Sequence, residues 1–151
     1  MILIFGGAYQ GKLDYAKEKF NIKDDEVLNV QELCSMAFEK NDQDLNYAVD
    51  AFMDQNSRTA KCIYRLDLYI EFILERGLDS DAWIEHLIAD IKNANQSEEQ
   101  VIIMNDVSQG IVPMDPEERA FREANGRAMI KLAEASDEVH RVFCGIGTRI
   151  K

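Results

Sequence analysis

Residues Gly6-Gly7-Ala8-Tyr9-Gln10-Gly11-Lys12 fit the pattern G-x-x-x-x-G-K, and Leu13 follows them. The chemistry such a segment can do is phosphate binding. Glycines let the backbone curl until successive N–H groups point at phosphate oxygens, a following helix adds positive potential from its N-terminus, and the lysine reaches the terminal phosphates. The plainer reading is a glycine turn with no ligand. Context favours the first, because an apolar run, Ile2 to Phe5, precedes the loop and a polar, helix-favouring stretch, Lys12 to Phe20, follows it. Gly6, Gly7, Ala8, Tyr9, Gln10, Gly11, Lys12 and Leu13 are therefore the expected nucleotide-binding residues, with Lys12 as the group that stabilises a transferring phosphate.

In most loops of this kind the residue after the lysine is Ser or Thr, whose hydroxyl binds magnesium. Leu13 cannot coordinate a metal. Either magnesium is held by another group, Asp14 or Asp106, or metal-dependent phosphoryl transfer is impaired. Asp14 reads more simply as a carboxylate in a helix first turn. Asp106 is the stronger candidate for a metal ligand or base, because it follows the buried-strand run Val101-Ile102-Ile103-Met104 and ligands of open α/β sheets gather at the carboxyl ends of the strands.

The elements that must hold these residues alternate. Strands are expected at Ile2–Phe5, Val27–Val30, Val101–Met104 and Glu138–Cys144, the last closed by Gly145-Ile146-Gly147. Helices are expected over Lys12–Phe20, over an acidic stretch where Leu45, Ala48, Val49, Phe52 and Met53 recur at helical spacing with Asp42, Asp44, Asp50 and Asp54 on the solvated side, and over Ala82–Ala94. A further helix opens with Asp115-Pro116-Glu117-Glu118, an N-cap, a first-position proline and an acidic first turn, and runs to about Ala135. Lys61 to Leu74 is ambiguous, with Cys62-Ile63-Tyr64 suited to a strand and Leu66 to Leu74 to a helix. The pattern predicts one α/β domain over residues 1–151, a mostly parallel sheet of the P-loop type with helices on both faces.

A formal net charge of -11 disfavours nucleic acid and anionic membrane surfaces as partners. A local nest of N–H groups can still bind a small anion against that charge. Neither a membrane span nor a leader is visible, so the cytoplasm is the expected compartment. Cys34, Cys62 and Cys144 have no metal-type spacing and are expected to be small core residues.

Three segments carry a family resemblance. Asn105-Asp106-Val107-Ser108-Gln109-Gly110-Ile111-Val112-Pro113 is similar to an Asn-Glu-Val-Gly-x-Gly-Ile-Val-Pro segment, Phe121-Arg122-Glu123-Ala124-Asn125-Gly126-Arg127 to a Phe-Arg-Asp-x-x-Gly-Arg helix, and Gly145-Ile146-Gly147-Thr148-Arg149-Ile150-Lys151 to a shared C-terminus. With the N-terminal loop they lie in the order found in the adenosylcobinamide kinase/adenosylcobinamide-phosphate guanylyltransferase family of cobalamin biosynthesis, which the chain resembles. The resemblance implies GTP or ATP as substrate, magnesium as the accompanying ion, phosphorylation of the aminopropanol arm of a cobinamide, GMP transfer through a guanylyl-histidine, and a homo-oligomer, commonly a trimer.

The middle of the chain departs from that pattern. The family's nucleophilic histidine falls in the region Gln31 to Thr59, which contains none. His86 lies within a helix and His140 stands where relatives have an apolar or aromatic strand residue, so both read as structural. Where relatives carry Val-Asp-Cys-Leu-Thr-Leu-Trp, this chain has Ile63-Tyr64-Arg65-Leu66-Asp67-Leu68-Tyr69, with Tyr64 in place of the acid. If the segment were all strand, Asp67 would lie about 10 Å along it and on the other face. Two readings follow: a diverged family member that still binds a purine nucleotide with its transferase activity weakened or lost, guanylyl transfer to a greater degree than phosphoryl transfer to a cobinamide, or an inactive scaffold or interaction protein that keeps the fold.

Overall fold

The computed structural model describes residues 1–34, 53, 56, 59–93, 99–108 and 110–151. The acidic helical stretch around Leu45, Ala48, Val49 and Phe52, with Asp42, Asp44, Asp50 and Asp54, lies outside the described residues, as does Gln109; Met53 is helical and buried.

Strand β1 (Ile2–Gly6) is central because nearly every residue in it is apolar and both of its faces can be covered. Ile2 and Ile4 bury toward one side of the sheet and Leu3 toward the other. Beside β1 run β4 (Val101–Asn105) and β5 (Glu138–Phe143), both parallel to it, with Gly6 opposite Asn105 and Phe5 opposite Arg141. Strands β3 (Cys62–Tyr64) and β2 (Val27–Asn29) continue the parallel sheet outward from β4. The order is β2-β3-β4-β1-β5-β6, six strands among the described residues.

Helix α1 (Lys12–Phe20) covers one face through Ala16, Tyr15 and Phe20. Among the described residues α2 (Leu66–Glu75), α3 (Ser80–Asn93) and α4 (Pro116–Ala135) cover the other. On that face Ile70, Leu87 and Leu132 meet Leu3, Ile102 and Val139 in a continuous core. The start of α4 follows from its sequence, since the Asp115 carboxylate accepts from the Glu117 and Glu118 N–H groups at 2.7 and 3.4 Å. The α/β architecture with a mostly parallel sheet and helices on both faces is thus as expected.

Local expectations need correction after β5, at Cys144, at Val30 and at Asp67. The chain does not simply stop after β5: Cys144 and Gly145 turn with φ of 50° and 77°, and Ile146–Arg149 return as β6, antiparallel to β5 with Phe143 opposite Ile146. That turn puts Cys144 in solvent, whereas Cys34 and Cys62 are buried and burial pushes the Cys62 thiol up to about 12. Val30 begins a helical turn rather than ending β2. The Lys61–Leu74 stretch divides into strand and helix as expected, and it does so at Arg65, whose left-handed backbone (φ 67°, ψ 45°) ends β3 and opens α2. Asp67 is therefore a first-turn helix residue, so the displacement along a strand that separated it from the site does not occur. Among the described residues, no helix is long and apolar enough to cross a membrane.

Candidate functional site

The loop is built by close approach. Gly6 ends β1 against β5, where a Cβ would lie 2.2 Å from the Val142 carbonyl oxygen. Gly11, with φ 77°, is the N-cap of α1, and a Cβ there would meet the Gly145 Cα at 3.3 Å. Tyr9 also has positive φ and projects fully into solvent. Gln10 pins the loop to the β5–β6 turn: its side-chain Oε1 accepts the Cys144 N–H at 2.7 Å and its carbonyl accepts the Gly145 N–H at 2.9 Å. The C-terminal hairpin that sequence reading missed is thus the brace of the Gly6–Lys12 loop.

No side chain among the described residues caps the start of α1, so its first-turn N–H groups face the loop as donors without a side-chain acceptor. Lys12 is 4% exposed and its ammonium donates to the Gly7 carbonyl at 2.6 Å, folding back across the loop. Burial lowers the Lys12 pKa; the Asp67 carboxylate works against that and the Arg65 guanidinium with it. A cationic lysine kept in a nest of backbone donors is suited to an anion.

The neighbouring strand ends supply the rest. The Asp106 N–H donates to the Gly6 carbonyl at 2.9 Å, joining the end of β4 to the loop. Its carboxylate accepts the Ser108 N–H at 2.9 Å. Asp67, 1% exposed, accepts the Asn105 N–H at 3.0 Å on Oδ1 and the Arg65 Nε and Nη2 on Oδ2, both at 3.0 Å. Arg65 Nη1 also donates to Gln31 Oε1 at 3.2 Å. Lys12 and Asp106 accordingly share the carboxyl edge of the sheet, and Asp67 and Arg65 join them there. Both were missed as site residues because the sequence does not announce the left-handed break at Arg65.

Magnesium is the ion that the resemblance implies, and the donors available do not suit it. Leu13 is aliphatic, Tyr64 carries a phenol rather than a carboxylate, and Asp67 is engaged by a guanidinium and a backbone N–H. Among the described residues no three His, Cys, Asp or Glu side chains converge on a common ion position. Asp106 is the carboxylate of this edge that could meet an ion carried in by the nucleotide.

The segments behind the resemblance form one unit. On α4, Arg122 donates through Nη1 to the Ile111 carbonyl at 2.7 Å and through Nη2 to the Ser108 carbonyl, and Arg119 donates to the Pro113 carbonyl at 3.0 Å. The helix therefore holds the 105–113 segment at the strand ends. Asn125, buried on the same helix, donates to the Asn105 carbonyl at 3.1 Å. Arg127 ties α4 to α3 through Asp81 at 2.9 Å.

The two histidines serve elsewhere. His140 is buried between Tyr15 and Glu138, at 2.8 Å from the Tyr15 hydroxyl and 2.9 Å from Glu138 Oε2. His86 is exposed on α3, which packs on the sheet face opposite α1. A separate groove of about 390 Å³ lies between α2 and the start of α4, lined by Glu71, Glu75, Asp115, Glu117 and Glu118. Its carboxylates repel phosphate, and burial raises the pKa of Glu71.

Comparison with known proteins gives consistent results. The family model described as cobinamide kinase / cobinamide phosphate guanyltransferase matches residues 37–150, well over half of the chain. The bifunctional adenosylcobalamin biosynthesis protein CobU of Salmonella typhimurium is 40% identical over 78 residues, 52% of this chain and 41% of that protein. The protein of the same description from Escherichia coli is 45% identical over 51 residues, 34% of this chain and 28% of that protein. The chain thus spans less than half the length of the curated relatives it matches. The family match begins beyond Gly6–Lys12, so the loop stands on its own geometry.

Proposed function

Because the chain belongs to the cobinamide kinase / cobinamide phosphate guanyltransferase family, we propose that it binds a purine nucleoside triphosphate, GTP or ATP, at Gly6–Leu13 and serves cobalamin biosynthesis by phosphoryl transfer to a cobinamide. The observation that carries the reading is the buried Lys12 ammonium held at 2.6 Å from Gly7 O beside an uncapped helix start. An ammonium and several backbone donors fixed before the ligand arrives cost little reorganisation when phosphate charge develops.

In the transfer step the cobinamide hydroxyl oxygen forms a bond to the γ-phosphorus as the bond to the β–γ bridging oxygen breaks. The leaving diphosphate takes the electron pair, Lys12 stabilises the charge on the moving phosphoryl group, and the Asp106 carboxylate accepts the hydroxyl proton. Asp106 is also the side chain assigned to any metal that accompanies the nucleotide. Guanylyl transfer is left out of the proposal, because Gln31–Thr59 contains no histidine and both ring nitrogens of His140 are engaged. The protein is proposed to work in the cytoplasm as a homo-oligomer, a trimer by family resemblance.

A second reading, a scaffold without turnover, is favoured by Leu13 and Tyr64 at positions where relatives hold metal-binding groups. The assay that separates the two is release of GDP or ADP with a cobinamide acceptor and magnesium, alongside nucleotide binding. Acceptor-dependent turnover supports the kinase, binding without turnover supports the scaffold, and failure to bind either nucleotide ends the phosphate-loop reading.

A further inference from the structure

We propose that Arg65 acts with Lys12 as the fixed cation for the terminal phosphates of the nucleotide, with buried Asp67 as their shared counter-ion, so that polyphosphate binds without magnesium. The inference rests on the nucleotide site described above and goes beyond it by replacing the ion with a side chain.

The geometry begins with the backbone. A left-handed conformation is sterically costly for a residue with a Cβ. A glycine would avoid that cost, yet position 65 carries a long cationic side chain. The strain is fixed from two sides: the Arg65 N–H donates to the Ile103 carbonyl at 3.0 Å, and its guanidinium grips Asp67 through Nε and Nη2. Asp67 is in turn tied to the end of β4 through the Asn105 N–H. Asn105 lies opposite Gly6 in the sheet, and the next residue, Asp106, bonds to Gly6 directly. A short bonded path therefore runs from the guanidinium to the first residue of the phosphate loop.

The charges are arranged to suit an anion. Arg65 is partly exposed, with its side chain at 20%, whereas Asp67 is sealed at 1%. The carboxylate is thus on the inner side and the cation on the outer side. Among the described residues the guanidinium bonds only Asp67 and Gln31, and a guanidinium carries five N–H donors, so donors remain for phosphate oxygens. Lys12 feels both groups, as its pKa dependence on Asp67 and Arg65 records. Leu13, the residue after the loop lysine, carries no hydroxyl for a magnesium ion, and the fixed guanidinium is the charge that takes the ion's place.

The test is calorimetry of the full chain with ATP, GTP and inorganic tripolyphosphate, in magnesium and in EDTA. Wild type is expected to bind within about threefold in the two conditions, whereas a site built on magnesium would differ by tenfold or more. Arg65→Gly removes the guanidinium at a backbone that glycine favours, and is expected to weaken binding in EDTA about tenfold or more, with Arg65→Lys intermediate. If Arg65→Gly does not fold, phenylglyoxal labelling of Arg65 in wild type, read by mass spectrometry in EDTA, should be suppressed by tripolyphosphate. Wild-type binding that requires magnesium overturns the Arg65 proposal and leaves the nucleotide site standing, as does a folded Arg65→Gly that binds normally in EDTA or labelling unaffected by tripolyphosphate. Absence of wild-type binding in both conditions overturns the nucleotide site itself and this proposal with it.

Discussion

The hydroxyl of Tyr15 lies 2.8 Å from Nδ1 of His140, joining the helix that follows the phosphate loop to the strand beside it. The chain of bonds continues from His140 Nε2 to Glu138 and from Glu138 Oε1 to Arg149 at 2.8 Å on β6. With the proton assigned to Nε2 by its carboxylate partner, Nδ1 accepts from the tyrosine. The bond to His140 holds the Glu138 carboxyl below its ordinary range, and burial lifts the Tyr15 hydroxyl above its own. His140 is a strut between α1 and the sheet.

A histidine so held is a poor nucleophile, and the prediction is an absence of covalent chemistry. Incubation with GTP and magnesium should leave the intact mass unchanged. A GMP adduct on His140 or His86 would overturn that assignment and return guanylyl transfer to the proposed activity.

Two glycines should respond oppositely to alanine. Gly6→Ala forces its Cβ to within 2.2 Å of the Val142 carbonyl, so the two strands must part, and a loss of about 2 kcal/mol or more is expected. Gly126→Ala, inside α4 with nothing within 4 Å of the added carbon, should gain about 0.5–1 kcal/mol from helix propensity. Urea denaturation of both variants is the measurement, and a stable Gly6→Ala would mean that the loop is not packed against β5 as described.

Lys12→Ala should weaken nucleotide binding by about 1.5 to 3 kcal/mol, about ten- to hundredfold, the range for a charge-assisted hydrogen bond. Leu13→Ser restores a hydroxyl at the metal position, so its binding should depend more on magnesium than wild type does, provided Asp106 is in reach. Calorimetry of both, with magnesium or chelator, decides. Equal affinity in Lys12→Ala and wild type would remove the loop as a phosphate site.

The same lysine sets a pH dependence. Burial lowers its folded pKa below the ordinary lysine value, so as pH rises the folded protein releases this proton before the unfolded chain does. Between the two values the unfolded state binds more protons, and Lys12 makes stability rise with pH across that window. Affinity for ATP runs the other way, falling as the ammonium is lost. Titrations from neutrality to pH about 10 should show that fall in wild type, and Lys12→Arg, charged throughout, should abolish it. Identical profiles for the two proteins would show that Lys12 does not carry the dependence.

The sequence by itself determined those elements whose signal is local. Ile2–Phe5 and Val101–Met104 are apolar at every position, which only a strand covered on both faces accommodates, and Asp115-Pro116 caps α4 with groups one turn away. The Gly6–Lys12 pattern was legible because its seven residues are contiguous, although the close approaches that require Gly6 and Gly11 come from Val142 and Gly145. What only the tertiary structure decided are contacts made across the chain. The break at Arg65 depends on Ile103 and on Asn105, whose N–H holds Asp67, residues of another strand, and no propensity marks an arginine for left-handed φ. The bracing of the loop by β6 depends on Gln10 reaching Cys144 and Gly145, 134 residues away in the case of Cys144. Likewise His140 became a strut because Tyr15 and Glu138 meet it from two elements. Periodicity records which face of an element is buried; it carries no information on which partner buries it, and at this site the partners fix the charges.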